Sequence, residues 1–344
     1  MSQSEDMFAA VDSLEQPRNG PTASVRLAMH FSMLRIRRVE EAIIRYYPEQ
    51  EIRCPTHICI GQEAVPAGVS AHLRPADYAF SGHRNHGHYL AKGGDLKAMF
   101  GELYGRETGC AAGRGGSQHL IDLDAGFVAS APILAGTVPI AVGAAFGIKR
   151  RGLDTVSVIY FGDGATEEGA FHEAMNFASV HQLPVLFVCE NNLYSVHSNL
   201  AIRQPAGRKI SELGKAHGMP GLTADGNDID AVWLAAGEAI ERARSGGGPS
   251  ILEFMTYRWL EHCGTNDDLN LGYRSRQEFE EWSARCPILR SAQRLKADKL
   301  LVDTQANAFE SDISEEIESA IGFARSSPYP DPASLFNFLL PDSG

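Results

Sequence analysis

Residues 155–192, TVSVIYFGDGATEEGAFHEAMNFASVHQLPVLFVCENN, carry the decision about the fold. Thr155–Phe161 is a β-branched and aromatic run too apolar for a strand with one wet face. Glu168–His181 places apolar residues at helical spacing, and Pro184–Cys189 is a second apolar run. A strand, a returning helix and another strand form a unit with two parallel strands. Downstream the pattern repeats: Val232, Ala236, Ala239, Ile240 and Ala243 share one helical face within Asp228–Ser245, Gly246–Gly248 end that helix, and Ser250–Tyr257 is a further strand. The class is α/β, with a mostly parallel central sheet and helices on both faces.

Upstream, Val25–Tyr47 predicts a long amphipathic helix, and residues 48–125 read as loop-rich. After Tyr273 the chain reads as helices to about Arg325. The organisation predicted is a mobile polar arm over 1–22, one domain over 23–325 with a helical C-terminal part, and a Pro-rich tail over 326–344.

A net charge of −12 excludes nucleic acid or an anionic membrane as a partner reached by bulk electrostatics. The six cysteines include no C-x-x-C pair, and the N-terminus lacks the apolar core of a signal peptide, so reduced thiols in a cytoplasm are expected. Gly126–Ile148 is uncharged and precedes Lys149, Arg150 and Arg151, but Pro132, Pro139 and its many small residues predict a closely packed buried helix instead of a membrane span. Glycine is 34 of 344 residues and clusters between 82 and 170, which predicts tight loops approaching a ligand.

Ligands of open parallel sheets sit beyond the carboxyl ends of the strands, where Gly162-Asp163-Gly164 and Glu190-Asn191-Asn192 both fall. Asp163 and Asn192 are 29 positions apart, room for one helix and the next strand, and neighbouring strands lie only ~5 Å apart. A carboxylate and an amide oxygen at that spacing can share a hard cation, and Mg²⁺ held by so few protein groups implies a bound diphosphate. Gly162 and Gly164 then let backbone N–H groups approach its oxygens. Either motif alone is ordinary chain punctuation; the pair is specific.

The paired motif resembles that of thiamine-diphosphate-dependent enzymes. The resemblance narrows to the alpha subunit of the decarboxylating component of 2-oxo acid dehydrogenases, of pyruvate, branched-chain and acetoin types. His57 with Gly61-Gln62-Glu63-Ala64, the run from Gly82 to Gly87, Gly113-Arg114-Gly115-Gly116-Ser117-Gln118-His119, Val138-Pro139, Pro220-Gly221-Leu222 and Tyr257-Arg258 follow that family in order. It implies the thiamine-diphosphate-binding fold, with Mg²⁺ held by Asp163, Asn192 and the backbone carbonyl of Tyr194. Arg84, Gly164 and Ala165 would hold the diphosphate, Leu134 would lie by the aminopyrimidine, and His57 and His262 would line the reactive end and carry catalysis beside His83.

The resemblance further implies a beta subunit that supplies the activating glutamate, an α₂β₂ assembly, a small 2-oxo acid substrate and a lipoyl acyltransferase as acceptor. A two-subunit carboligase acting on an aldehyde or ketone is the alternative. Regulatory nucleotide binding lacks a Walker A loop or a G-x-G-x-x-G helix start. His83 stands where many relatives carry tyrosine. The His-Ser-x-Ser-Asp loop of relatives reads His262-Cys263-Gly264-Thr265-Asn266-Asp267-Asp268, with Tyr273-Arg274 arriving late. His83, His86 and His88 are expected around the cofactor or in surface hydrogen bonds, not on a transition metal. Glu167-Glu168 is expected to be favourable charge at a helix start, and Cys263 to be inert.

Overall fold

A computed structural model describes residues 20–337. Most of the predicted arm and the end of the predicted tail lie outside the described residues. Thr22 caps helix α1 (Ala23–Tyr46), accepting from the Val25 N–H. The region expected to be loop-rich holds α2 (Ala64–Ser70), β1 (Tyr78–Ser81), α3 (His86–Lys92) and α4 (Leu96–Leu103). These pieces are four to eight residues long, too short for periodicity to declare them. Next come β2 (Phe127–Ser130), α5 (Thr137–Arg151), β3 (Ser157–Gly162), α6 (Gly169–Val180) and β4 (Val185–Asn191). A small hairpin, β5 (Tyr194–Ser195) and β6 (Ser198–Asn199), leads through the short α7 (Leu200–Arg203) and α8 (Leu213–Ala216) to β7 (Gly221–Asp225), α9 (Ile229–Arg244) and β8 (Ser250–Met255). Helices α10 (Arg276–Ser283), α11 (Pro287–Ala297) and α12 (Asp303–Ser326) follow, as the sequence predicts.

The sheet is six-stranded and parallel throughout, in the order β2-β1-β3-β4-β8-β7. Both faces are covered, which explains the continuous apolar runs. Val158, Tyr160, Leu186, Val188, Leu252 and Phe254 point into a core shared with α1 to α4, α9 and α12, whereas Ile159, Phe161, Val185, Phe187, Cys189 and Ile251 point into a second core shared with α5 and α6. Strands β3 and β4 are neighbours in register, with Gly162 opposite Glu190, so the two motifs leave the sheet side by side.

Helix α5 corrects one expectation. The uncharged stretch divides into β2, a loop and α5, and only one side of the helix is covered: Val138, Ala141, Val142 and Ala145 are buried, while Ile140 is 56% exposed. Gly143 and Phe146 lie on the open side as well. Small residues permit close packing, but they do not say which side of a helix receives it. Among the described residues no helix is long and apolar enough to cross a membrane.

Candidate active site

Beyond the carboxyl ends of β1, β3 and β4 lies a cavity of about 360 Å³. Asp163, Gly164, Ala165, Asn192, Tyr194, Arg84, His83, Leu134, His57 and His262 all line it, so every sequence-predicted site residue reaches one place. Asp163 opens a 3₁₀ turn (Asp163–Glu167) that delays α6 to Gly169, and the Thr166 hydroxyl ties the turn by donating to the Asp163 carbonyl at 2.7 Å. Asp163 is 1% exposed, and burial raises its pKa although the guanidinium of Arg203 acts in the other direction. Asn192 donates from its amide to Gln62 Oε1 at 3.3 Å, and its own oxygen accepts the Tyr194 N–H at 3.1 Å. Gly164 is a close approach: a Cβ there would stand 2.7 Å from Ser195 Oγ.

Arg84 is the cation of the cavity. It is 8% exposed, and its guanidinium donates to the carbonyls of Ile58 at 2.5 Å and His262 at 3.1 Å, its only hydrogen-bond acceptors among the described residues. Burial first, then the charge of Arg258, lowers its pKa to about 10. An arginine buried without a carboxylate is suited to an incoming anion.

Three histidines from three distant segments meet at the other end. The ring centroids of His57 and His83 are 4.5 Å apart, those of His57 and His262 5.0 Å, and those of His83 and His262 5.2 Å. Gln118 reaches His57 Nδ1 at 3.1 Å. Burial, then the charge of Arg84, lowers all three pKa values, that of His83 to about 4 and that of His262 to about 3. All three are therefore neutral at pH 7, each ring able to accept a hydrogen bond at one nitrogen and donate one from the other. One ring nitrogen from each lies within 4.8 Å of the other two.

His83, His86 and His88 separate, His83 joining His57 and His262 while the other two lie outside that trio. His88 stacks on Tyr160 with centroids 4.0 Å apart and faces Glu190 at 3.2 Å. His86, however, is neither in the cavity nor at the surface. It is fully buried between Glu40 (3.1 Å) and Ser117 (2.6 Å), tying α1 to the glycine-rich loop. That loop reaches the cavity through Gln118 and closes on an internal anion. The N–H groups of Ala111, Gly113, Gly115 and Gly116 all donate to Glu102, so its anion is a carboxylate of the chain itself. Glu167 pairs with Arg203 and Gln204, and only Glu168 sits at the start of α6. Cys263 is exposed, and burial of its thiol together with Glu261 raises its pKa against the effect of Arg84, so it is not an activated nucleophile. The late Tyr273-Arg274 still anchors the His262 loop: Asp268 binds Arg258 at 3.1 Å and also receives Tyr273 and Arg274.

Residues 31–333 match the model of the family described as "Dehydrogenase E1 component". The chain belongs to that family. The alpha subunit of acetoin:2,6-dichlorophenolindophenol oxidoreductase from Bacillus subtilis (strain 168) is 40% identical over 317 residues, covering 91% of this chain and 93% of that protein. Pyruvate dehydrogenase E1 component subunit alpha is 35% identical over 328 residues in Porphyra purpurea, covering 92% of this chain and 93% of that one. In Rhizobium meliloti (strain 1021) it is 36% identical over 315 residues, 91% and 89% of the two chains. The chain is thus an E1 enzyme subunit of the alpha type, and an alpha subunit implies a beta partner.

E1 enzymes use thiamine diphosphate with Mg²⁺, and this E1 chain has groups that fit both. Oxygen donors suited to Mg²⁺ stand at Asp163 and Asn192, a buried cation free of carboxylates stands at Arg84, and Gly164 lines the same cavity with no side chain of its own. Arg203, Gln204, Gln62 and Gln118 are site residues that the sequence reading does not single out. Gln62 and Gln118 lie inside quoted motifs, whereas Arg203 and Gln204 come from an irregular segment with no signal of its own.

Proposed function

We propose that this chain is the diphosphate-holding half of an E1 active site completed by a beta subunit. Asp163, Asn192 and the Tyr194 carbonyl would hold Mg²⁺, and Arg84, Gly164 and Ala165 the diphosphate. Leu134 would meet the aminopyrimidine, with His57, His83 and His262 at the reactive end. One observation carries the reading: a carboxylate-free buried arginine and a buried aspartate share one cavity, the charge pair that a metal diphosphate requires. When bound, thiamine diphosphate supplies the carbanion equivalent and electron sink for breaking the bond beside a carbonyl. The chain's part is to orient the diphosphate, exclude water and move protons at His57 and His262. Ile133, 74% exposed, and Leu134, 39% exposed, sit at the mouth and suit a covering partner in an α₂β₂ assembly.

The substrate would be a small 2-oxo acid, its acyl group passing to a lipoyl acyltransferase, in the cytoplasm. A second reading, an uncharged 2-hydroxyketone as acyl donor, is favoured by the neutral imidazole trio, which offers a substrate carboxylate no cation beyond the committed Arg84. The test is calorimetry on the complex with its beta subunit. Asp163→Ala should abolish Mg²⁺-dependent binding of thiamine diphosphate while the fold persists; unchanged affinity sinks the assignment. Dye reduction with pyruvate against acetoin then separates the two donors, and turnover only with an aldehyde acceptor would favour the carboligase.

A further inference from the structure

The metal position just proposed is already charge-balanced by the chain. Arg203 at the end of α7 donates from Nη2 to Asp163 Oδ2 and from Nη1 to Glu167 Oε1, and its Nε donates to the Ser198 carbonyl at 3.0 Å. The Arg203 side chain is 11% exposed and that of Asp163 2%, whereas Glu167, at 33%, faces outward. Gln204 follows and donates to Thr166 Oγ1 and to Glu167 Oε1, both at 3.1 Å. A carboxylate as buried as Asp163 needs a counter-charge, and in this arrangement the counter-charge is a guanidinium.

A divalent cation arriving at Asp163 would be repelled by the guanidinium already held on its Oδ2, so each weakens the other's hold on the carboxylate. The segment that carries Arg203 contains little regular structure. It begins with Leu193 at φ +70° and Val196 at φ +54°, left-handed backbone that branched side chains rarely adopt, held by Arg258 donating to the Val196 carbonyl at 2.9 Å. It continues through a hairpin of two-residue strands and a four-residue helix. Glu167 already holds Nη1, so the guanidinium can pivot about an existing ion pair without being released into water.

We propose that Arg203 is the resident counter-ion of the metal site. It neutralises Asp163 while the site is empty and withdraws onto Glu167 as Mg²⁺ with its diphosphate enters, carrying Ser198–Gln204 with it. Arg203 acts through Asp163 and is a positioning residue. This inference rests on the assignment of Asp163 and Asn192 to the metal. Its thermodynamic signature is a competition in which apparent affinity is scaled down to the fraction of molecules whose Asp163 is free of Arg203.

The test is Mg²⁺-dependent binding of thiamine diphosphate to the full complex, by calorimetry, for wild type, Arg203→Gln, Glu167→Gln and the double variant. Removing the competitor in Arg203→Gln should tighten binding by about tenfold, equivalent to ~1.4 kcal/mol. Removing the receiving carboxylate in Glu167→Gln should weaken it, and the double variant should behave like Arg203→Gln. Hydrogen exchange over 196–206 should change on loading in wild type and lose that response in Arg203→Gln. A brace with no competing role would not give affinity shifts of opposite sign. Weaker or unchanged binding in Arg203→Gln overturns the proposal while leaving the site assignment intact. If Arg203→Gln does not fold, unchanged or tighter binding in Glu167→Gln overturns it instead. Absence of Mg²⁺-dependent binding in wild type would overturn the site assignment and this inference together.

Discussion

Replacing Glu102 by glutamine exchanges one oxygen for an NH₂ group and should cost more than its size implies. The carboxylate is 1% exposed; Oε2 accepts from Ala111 at 2.8 Å and Gly113 at 2.9 Å, and Oε1 from Gly115 at 2.6 Å and Gly116 at 2.9 Å. Hydrogen bonds to a charged group are each worth about 1.5–3 kcal/mol. An amide nitrogen in either position would replace one oxygen that accepts two hydrogen bonds with an NH₂ group facing two donors. Losing two charge-assisted bonds, with partial relief because the loop's donors lie near water, gives about 3 kcal/mol for Glu102→Gln, and Glu102→Ala, which loses all four, should cost more. Urea unfolding of the chain, followed by tryptophan fluorescence, would show the change as a lower midpoint at unchanged slope. The loop also carries Gln118 to His57, so the affinity of the complex for thiamine diphosphate should fall with the midpoint. A stability change within about 0.5 kcal/mol, the range of an ordinary surface substitution, would refute the carboxylate-centred account of the loop.

His83 and His262 have folded pKa values near 4 and 3, below the ordinary histidine value, so the unfolded chain binds their protons first as pH falls. Stability is then fully present above about pH 6.5 and declines towards pH 4 by up to about 1.4 kcal/mol per pH unit for each histidine; thermal melts at pH 7.5 and pH 5 should show it, and His83→Gln should flatten the slope. His262→Ala should reduce turnover of the αβ complex by one to several powers of ten with cofactor affinity nearly intact, and wild-type single-turnover rates in that variant would remove His262 from the chemistry. The chain purified without its partner should not turn over pyruvate or branched 2-oxo acids, and robust activity of verified partner-free protein would refute the split site.

The strand-helix-strand unit was legible because both strands are buried on both faces and the helix between them has one apolar side. That placed Asp163 and Asn192 together, and the sheet pairs their strands directly. The short strands β1 and β2 escaped because four residues hold too little period. The meeting of His57, His83 and His262 came from resemblance alone, since no local pattern relates loops so far apart in the chain. Arg203 was invisible for a different reason. An arginine in an irregular segment looks like solvated charge until the fold lays it against a buried carboxylate. Glycine density marked tight loops near a ligand, but composition could not show that the N–H groups of the loop at 113–116 close on the internal carboxylate of Glu102.

The strand order has a consequence for how the chain is made. Strands β1 and β2 leave the ribosome first, yet β1 must wait for β3, nearly eighty residues later, before it has a central neighbour. At the other edge β7 precedes β8 in synthesis but has no pairing partner until β8 slots between it and β4. No N-terminal fragment short of residue 255 can therefore complete the sheet. Pairings of this kind, distant in sequence, are slow and leave strand edges unpaired in the meantime. The nascent chain should thus depend on chaperones until β8 emerges, and truncations ending between residues 192 and 250 should aggregate even though they contain both halves of the metal-binding motif.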